Sequence, residues 1–127
     1  MSVGILLISH PGIATAILDN ANRIWQQAHT QIDILEVPFD SDAETVHQSS
    51  IDKINALDDG DGVLVLCDIL GASPCNMTQN DSEHTVIRIS GLNLPMLIKA
   101  YNYADKTLPE LSDLVIEGST RSILQLP

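Results

Sequence analysis

A three-layer α/β/α domain around a central, mostly parallel four-stranded sheet is the fold this sequence predicts, and three observations carry the prediction. Short apolar runs alternate with stretches whose apolar residues recur at helical spacing. Turn signals rich in Gly, Pro, Asn, Asp and Ser separate them. No internal repeat, low-complexity tract or Pro/Gly/Ser linker divides the 127 residues, so residues 1–127 read as a single domain. Strands that alternate with helices build βαβ units with right-handed crossovers, hence a parallel sheet.

The elements follow in order. Val3-Gly4-Ile5-Leu6-Leu7-Ile8 is a continuous apolar run, the mark of a strand buried on both faces. Ile13, Ile17, Ala21, Ile24 and Ala28 then recur at helical spacing. Ile32 to Val37 reads as a second strand. Ser41-Asp42-Ala43-Glu44 has the form of a capping box, with Ser41 as the cap, and Val46, Ile51, Ile54 and Leu57 supply the apolar face of the helix behind it. Asp59-Gly60-Asp61-Gly62 turns the chain into Val63-Leu64-Val65-Leu66-Cys67, the most hydrophobic strand and therefore a central one. Ser73-Pro74 opens a short helix. Thr85 to Ser90 reads as the fourth strand and Leu94 to Ala104 as a helix. The tail from Leu111 to Leu126 has two readings: helix throughout, or a break near Gly118 followed by an antiparallel edge strand.

Charge is the anomaly in the composition. Six Lys and Arg against 17 Asp and Glu give a net charge of −11. Such an excess repels phosphate backbones and anionic lipid surfaces, so nucleic acid and membranes are poor partners. No apolar run approaches the ~18 residues of a membrane span, and Met1 to His10 lacks a signal peptide's basic flank and cleavage site. Cys67 and Cys75 form no disulfide framework, and Cys67, which ends an apolar run, reads as a buried thiol. A cytoplasmic location is expected.

Ligands of open parallel sheets gather at the carboxyl ends of the strands, where the strand order reverses. The first strand ends in Ser9-His10-Pro11-Gly12, the third in Asp68 and Gly71-Ala72-Ser73-Pro74, the fourth in Ser90-Gly91-Leu92-Asn93. If the first and third strands are neighbours, Asp68 can accept the Nδ1–H of His10 and leave Nε2 as a nucleophile. Ser73, Asn93 and the amides of Gly71 and Gly12 are then available to a bound anion. Simpler roles exist beside these: Ser73 and Asn93 suit helix caps, and an aspartate ahead of a loop often bonds loop amides. His29, His47 and His84 sit in polar surroundings and read as exposed.

Other templates fail. No Gly-rich loop ends in Lys-Ser/Thr and no G-x-G-x-x-G follows the first strand, so no cofactor is expected. No His/Cys/Asp cluster has zinc spacing, so no metal is expected. One Phe, one Trp and two Tyr provide no aromatic platform. A histidine nucleophile beside an anion-accepting loop suits phosphoryl relay.

Three blocks, Gly4 to Gly12, Asp68 to Asn76 and Ser90 to Leu97, resemble the mannose-type enzyme IIA of the bacterial phosphoenolpyruvate-dependent sugar phosphotransferase system. The resemblance implies a histidine phosphocarrier in which His10 accepts a phosphoryl group from HPr and passes it to an enzyme IIB, making the protein a phosphotransferase. It implies that Asp68 orients the imidazole, and that Ser73 lies near the phosphoryl oxygens. Ser9, Gly12, Gly71 and Asn93 complete the expected phosphoryl-binding set. It also implies a homodimer, with the C-terminal strand exchanged between subunits in some members. The sequence differs from many members in carrying Ser9, Ile69, Ala72 and Cys75 where threonine, tryptophan, glycine and an aromatic are common. No IIB segment follows within these residues, so a separate IIB chain is the expected acceptor. Two further roles fit the same resemblance, a regulatory IIA that signals by phosphorylation-dependent binding and the phosphotransfer subunit of a dihydroxyacetone kinase.

Overall fold

A computed structural model describes residues 2–26, 31–69 and 85–127. Its elements run β1 (Gly4–Ser9), α1 (Ile13–Trp25), β2 (Ile32–Glu36), α2 (Ala43–Leu57), β3 (Val63–Cys67), β4 (Val86–Ser90), α3 (Leu94–Asn102) and α4 (Leu108–Arg121). The strands form one sheet of order β2-β1-β3-β4. All three pairings are parallel, with Ile8 level with Leu35 on one side and Cys67 on the other. The α/β fold and the central position of the Val63–Cys67 strand are as the sequence predicts.

Strand periodicity of two sorts the core into two layers. Ile5 and Leu7 of β1, with Leu64 and Leu66 of β3, face Ala14 and Ala21 of α1, Leu97 and Ala100 of α3, and Leu111 and Val115 of α4. Leu6 and Ile8, with Val63, Val65 and Cys67, face Val46 and Ile54 of α2. The strand residues of both sets are wholly buried, which explains why β1 and β3 read as unbroken apolar runs. Cys67 is buried as expected. Cys75 and the helix expected after Ser73 lie outside the described residues, as do His29 and His84. His47 is half-buried rather than exposed.

The helix faces and ends differ from the sequence reading in two places. On α1 the buried face runs through Ala14 and Ala21, while Ile13 and Ile24 are exposed. Ile17 and Leu18 pack beside the two alanines on one i, i+3, i+4, i+7 face, which leaves Ile13 and Ile24 off it. On α2 the cap is Asp42, not Ser41. The N–H of Ser41 donates to the Pro38 carbonyl in a turn, so helical geometry starts one residue later. The Asp42 carboxylate then accepts both the N–H and the hydroxyl of Thr45.

The tail is helical through Gly118, and residues 122–127 add no strand to the sheet. Its start is marked by Thr107-Leu108-Pro109-Glu110, a capping box with proline in the first turn; Thr107 accepts from the Glu110 N–H and donates to its carboxylate. Gly118 does not break α4 but admits α3: a Cβ there would stand 2.6 Å from Cγ of Lys99, whose stem crosses it.

Two outcomes are expected. Gly62 holds a φ of +86°, and a Cβ there would meet the Thr85 carbonyl at 2.8 Å. Gly62→Ala therefore combines left-handed strain with overpacking and should cost about 2 kcal/mol or more in denaturant unfolding. The Tyr101 hydroxyl donates to Asn22 at 2.7 Å, tying α3 to α1, and burial pushes the phenol up to about 12 from 10.0. Its raised value means the stabilisation is complete below pH 10 and fades as pH rises through 12. Tyr101→Phe should cost about 1 kcal/mol at neutral pH and flatten that alkaline decline.

Candidate functional site

The strand order reverses between β1 and β3: the chain leaves β1 toward β2, then returns to place β3 on the other side. His10 follows β1 and Asp68 follows β3, so both stand at this switch point. The backbone carries the ladder one step past the strands, with the Asp68 N–H donating to the Ile8 carbonyl at 3.1 Å. That register brings Nδ1 of His10 to 2.7 Å from Oδ2 of Asp68. The same oxygen accepts the backbone N–H of His10 at 2.9 Å, and Oδ1 accepts that of Ile69 at 2.8 Å.

This fixes the chemistry of the imidazole. A carboxylate can only accept, so in the neutral ring Nδ1 carries the proton and Nε2 keeps its lone pair. The His10 side chain is 22% exposed and that of Asp68 9%. Burial works to raise the Asp68 carboxyl, but the bonds from the His10 N–H, the His10 ring and the Ile69 N–H outweigh it and leave it below 3.8. The pair has the composition of an oriented nucleophile: an anchored carboxylate behind the ring and an accessible nitrogen in front.

The other expected residues are placed as follows. Ser9 is wholly buried. Its hydroxyl accepts the N–H of Ala14 at 2.9 Å and donates to the His10 carbonyl at 2.7 Å. It thereby supplies the cap that Gly12, at the start of α1 with a φ of 86°, cannot provide. Asn93 caps α3 by accepting the Met96 N–H at 2.8 Å, and its amide donates to the Gly91 carbonyl. It stands beyond β4, one strand farther from His10 than Asp68 is. Gly71 and Ser73 lie outside the described residues. Among the described residues no three His, Cys, Asp or Glu side chains gather to hold a metal ion.

Two residues that sequence reasoning passed over also belong to this edge, both from the end of β2. Glu36 accepts the Thr15 N–H at 2.9 Å at the start of α1. Bonds from the Thr15 backbone and hydroxyl, and a smaller one from the Gly12 N–H, outweigh burial and lower its pKa. Phe39 brings its ring to 5.1 Å from the His10 ring, centroid to centroid, tilted by 36°. The signal was present: in a parallel sheet the β2 loop opens on the same edge as the loops of β1, β3 and β4, and it holds the one phenylalanine of the chain.

Because the Asp68 carboxyl is depressed, its contribution to stability is complete above about pH 4 and is lost as pH falls through the lower folded value. Asp68→Asn should remove that part of the acid transition. Denaturant midpoints followed from neutral to acid pH should then fall less steeply in the variant than in the wild type.

A family model described as EIIA-man, PTS system fructose IIA component, matches residues 4–115. The PTS system mannose-specific EIIAB component of Escherichia coli (strain K12) is 29% identical over an alignment 131 positions long, which covers 99% of this chain and 40% of that protein. The chain thus spans less than half the length of the curated relatives it matches. Among solved structures, the mannose/sorbose specific IIA subunit of the phosphotransferase system from Enterococcus faecalis superposes with a TM-score of 0.85 at 20% identity, over 100% of this chain and 96% of that one. The phosphotransferase system component EIIA from Streptococcus agalactiae gives a TM-score of 0.82 at 23% identity, over 97% and 96% of the two chains. At these identities the structures establish a common fold, and the family match establishes membership: the chain belongs to the EIIA-man family of phosphotransferase-system IIA components.

Proposed function

We propose that the protein is a cytoplasmic histidine phosphocarrier domain of a sugar phosphotransferase system, which takes a phosphoryl group from phospho-HPr onto Nε2 of His10 and passes it to an enzyme IIB. The observation that carries this reading is the bond from Nδ1 of His10 to Oδ2 of Asp68, which leaves Nε2 as the one ring nitrogen free to react. Family membership and the position of the pair at the switch point support it.

In the forward step the Nε2 lone pair attacks phosphorus while the N–P bond to the donor imidazole breaks and its electron pair returns to that ring. The transition state is loose, with charge spread over the three equatorial oxygens, so positioning does most of the work. As the new N–P bond forms, the His10 ring gains imidazolium character, and the Asp68 carboxylate offsets it. Ser9 holds the turn that aims the ring. Ser73 and Gly71 are assigned as donors to the phosphoryl oxygens, Gly12 as the turn residue beside them whose N–H is shared with Glu36, and Asn93 as a more distant polar contributor. The second step is the same displacement onto the IIB acceptor.

The net charge of −11 favours partners with a basic face, through electrostatic steering. A homodimer belongs to this reading, and the exposed Ile123, Leu124 and Leu126 of the C-terminal segment support it as surface that a second subunit would cover.

The test is transfer of labelled phosphate from phosphoenolpyruvate through enzyme I and HPr. The wild type should acquire acid-labile label and lose it to an added IIB, and His10→Ala should acquire none. Asp68→Asn, which weakens a charge-assisted bond, should slow labelling by about 10- to 100-fold. Full-rate labelling of His10→Ala would exclude the assignment. Label that reaches no IIB would leave a carrier with a regulatory output.

A further inference from the structure

We propose that Phe39 is the aromatic anchor on which the phosphoryl-donor protein docks, and so a specificity-determining residue of this site; the inference rests on the carrier function proposed above. Phe39 is 85% exposed, so its ring contributes little to the core. The fold nevertheless holds it beside the reactive ring by backbone pins on either side. The Val37 N–H donates to the Ser9 carbonyl at 2.9 Å, extending the β1–β2 ladder past the strands, and Ser41 closes the turn onto Pro38 at 3.1 Å. Glu36 fastens the end of β2 to α1 through Thr15. Pro38, with its fixed φ, leads into the turn.

Position then dictates the occupant. Nδ1 of His10 is held by Asp68 on the β3 side, and Phe39 approaches the same imidazole from the β2 side, with ring centroids 5.1 Å apart. A protein that brings a phosphorus atom to bonding distance of Nε2 has to cover a ring that close. A protein surface docked over His10 extends at that distance onto the Phe39 ring. An aromatic side chain desolvated at the centre of an interface is the kind of residue that dominates its binding energy.

The neighbouring strand ends describe the donor surface. Ile13, which opens α1 after β1, is 40% exposed, and Ile69, which follows Asp68, is 55% exposed. Asp40 and Asp42, both exposed, flank the Phe39 turn. The fitting partner has an apolar surface immediately around its phosphorylated residue and basic side chains outside it.

The experiment compares two donors on the full chain, phospho-HPr and the small molecule phosphoramidate, which can phosphorylate histidine without a protein interface. Phe39→Ala should raise KM for phospho-HPr by roughly 5- to 30-fold with kcat little changed. Its labelling by phosphoramidate should match the wild type, and Phe39→Tyr, which keeps the ring, should restore most of the KM. An unchanged KM for Phe39→Ala overturns the proposal. So does an equal loss with both donors, because the ring would then act on His10 itself rather than on docking. A wild type labelled at His10 by phosphoramidate but not by phospho-HPr overturns the carrier function, and this inference with it. Circular dichroism and thermal unfolding of Phe39→Ala should match the wild type, since so exposed a ring supports no packing.

Discussion

The parallel pairing of β1 with β3 is the constraint on which the rest of the molecule depends. Gly4 to Ile8 lies level with Val63 to Cys67 along five consecutive residues. A slip of one residue would turn Leu64 and Leu66 toward α2 and Val63, Val65 and Cys67 toward the other helices, exchanging the two cores. It would also move Asp68 along the edge by about 3.3 Å, beyond hydrogen-bond reach of Nδ1. Hydrophobic sorting on both faces thus enforces the register, and the register delivers a 2.7 Å contact between residues 58 apart in the chain. The stability of the sheet and the geometry of the site have one cause.

Around that contact, polar groups are committed in a graded way. Both oxygens of Asp68 are engaged, one by the backbone and ring of His10 and the other by Ile69. The Ser9 hydroxyl is spent on the turn. At the N-terminal end of α1, where the helix dipole favours an anion, Glu36 already accepts the Thr15 amide. These bonds hold the His10 turn from three sides and leave Nε2 as the ring nitrogen that Asp68 does not engage. They also place carboxylates at the edge of the site, in keeping with the net charge of −11.

The far side of the molecule shows a different economy of space. Ala14 and Ala21 are the buried residues of α1, and Gly118 lets the Lys99 stem pass between α3 and α4. Tyr101 closes this layer with an edge contact to Trp25 and a bond to Asn22. Small residues therefore mark where helices approach, and a glycine that resembles a helix breaker in isolation serves packing instead.

Much of this was legible in the sequence because it is local or periodic. Unbroken apolar runs identify β1 and β3 as strands covered on both sides. The polar ends of β1 and β3 put His10 and Asp68 on one edge, and neighbouring strands were the sole condition for their contact. What the tertiary structure decided was competition between equally good local signals. Asp42 caps α2 because the preceding turn takes the Ser41 amide, which no propensity at position 41 reveals. Ala14, Ile17, Leu18 and Ala21 share the face that packs on the core, so Ile13 and Ile24 fall off that stripe although they are as apolar as Ile17. Phe39 joins His10 because β1 and β2 pair in parallel and so end side by side, and an exposed aromatic carries no periodic signature of its own. Residue type and spacing determined which elements form and which side chains can do chemistry; long-range packing decided which of them meet.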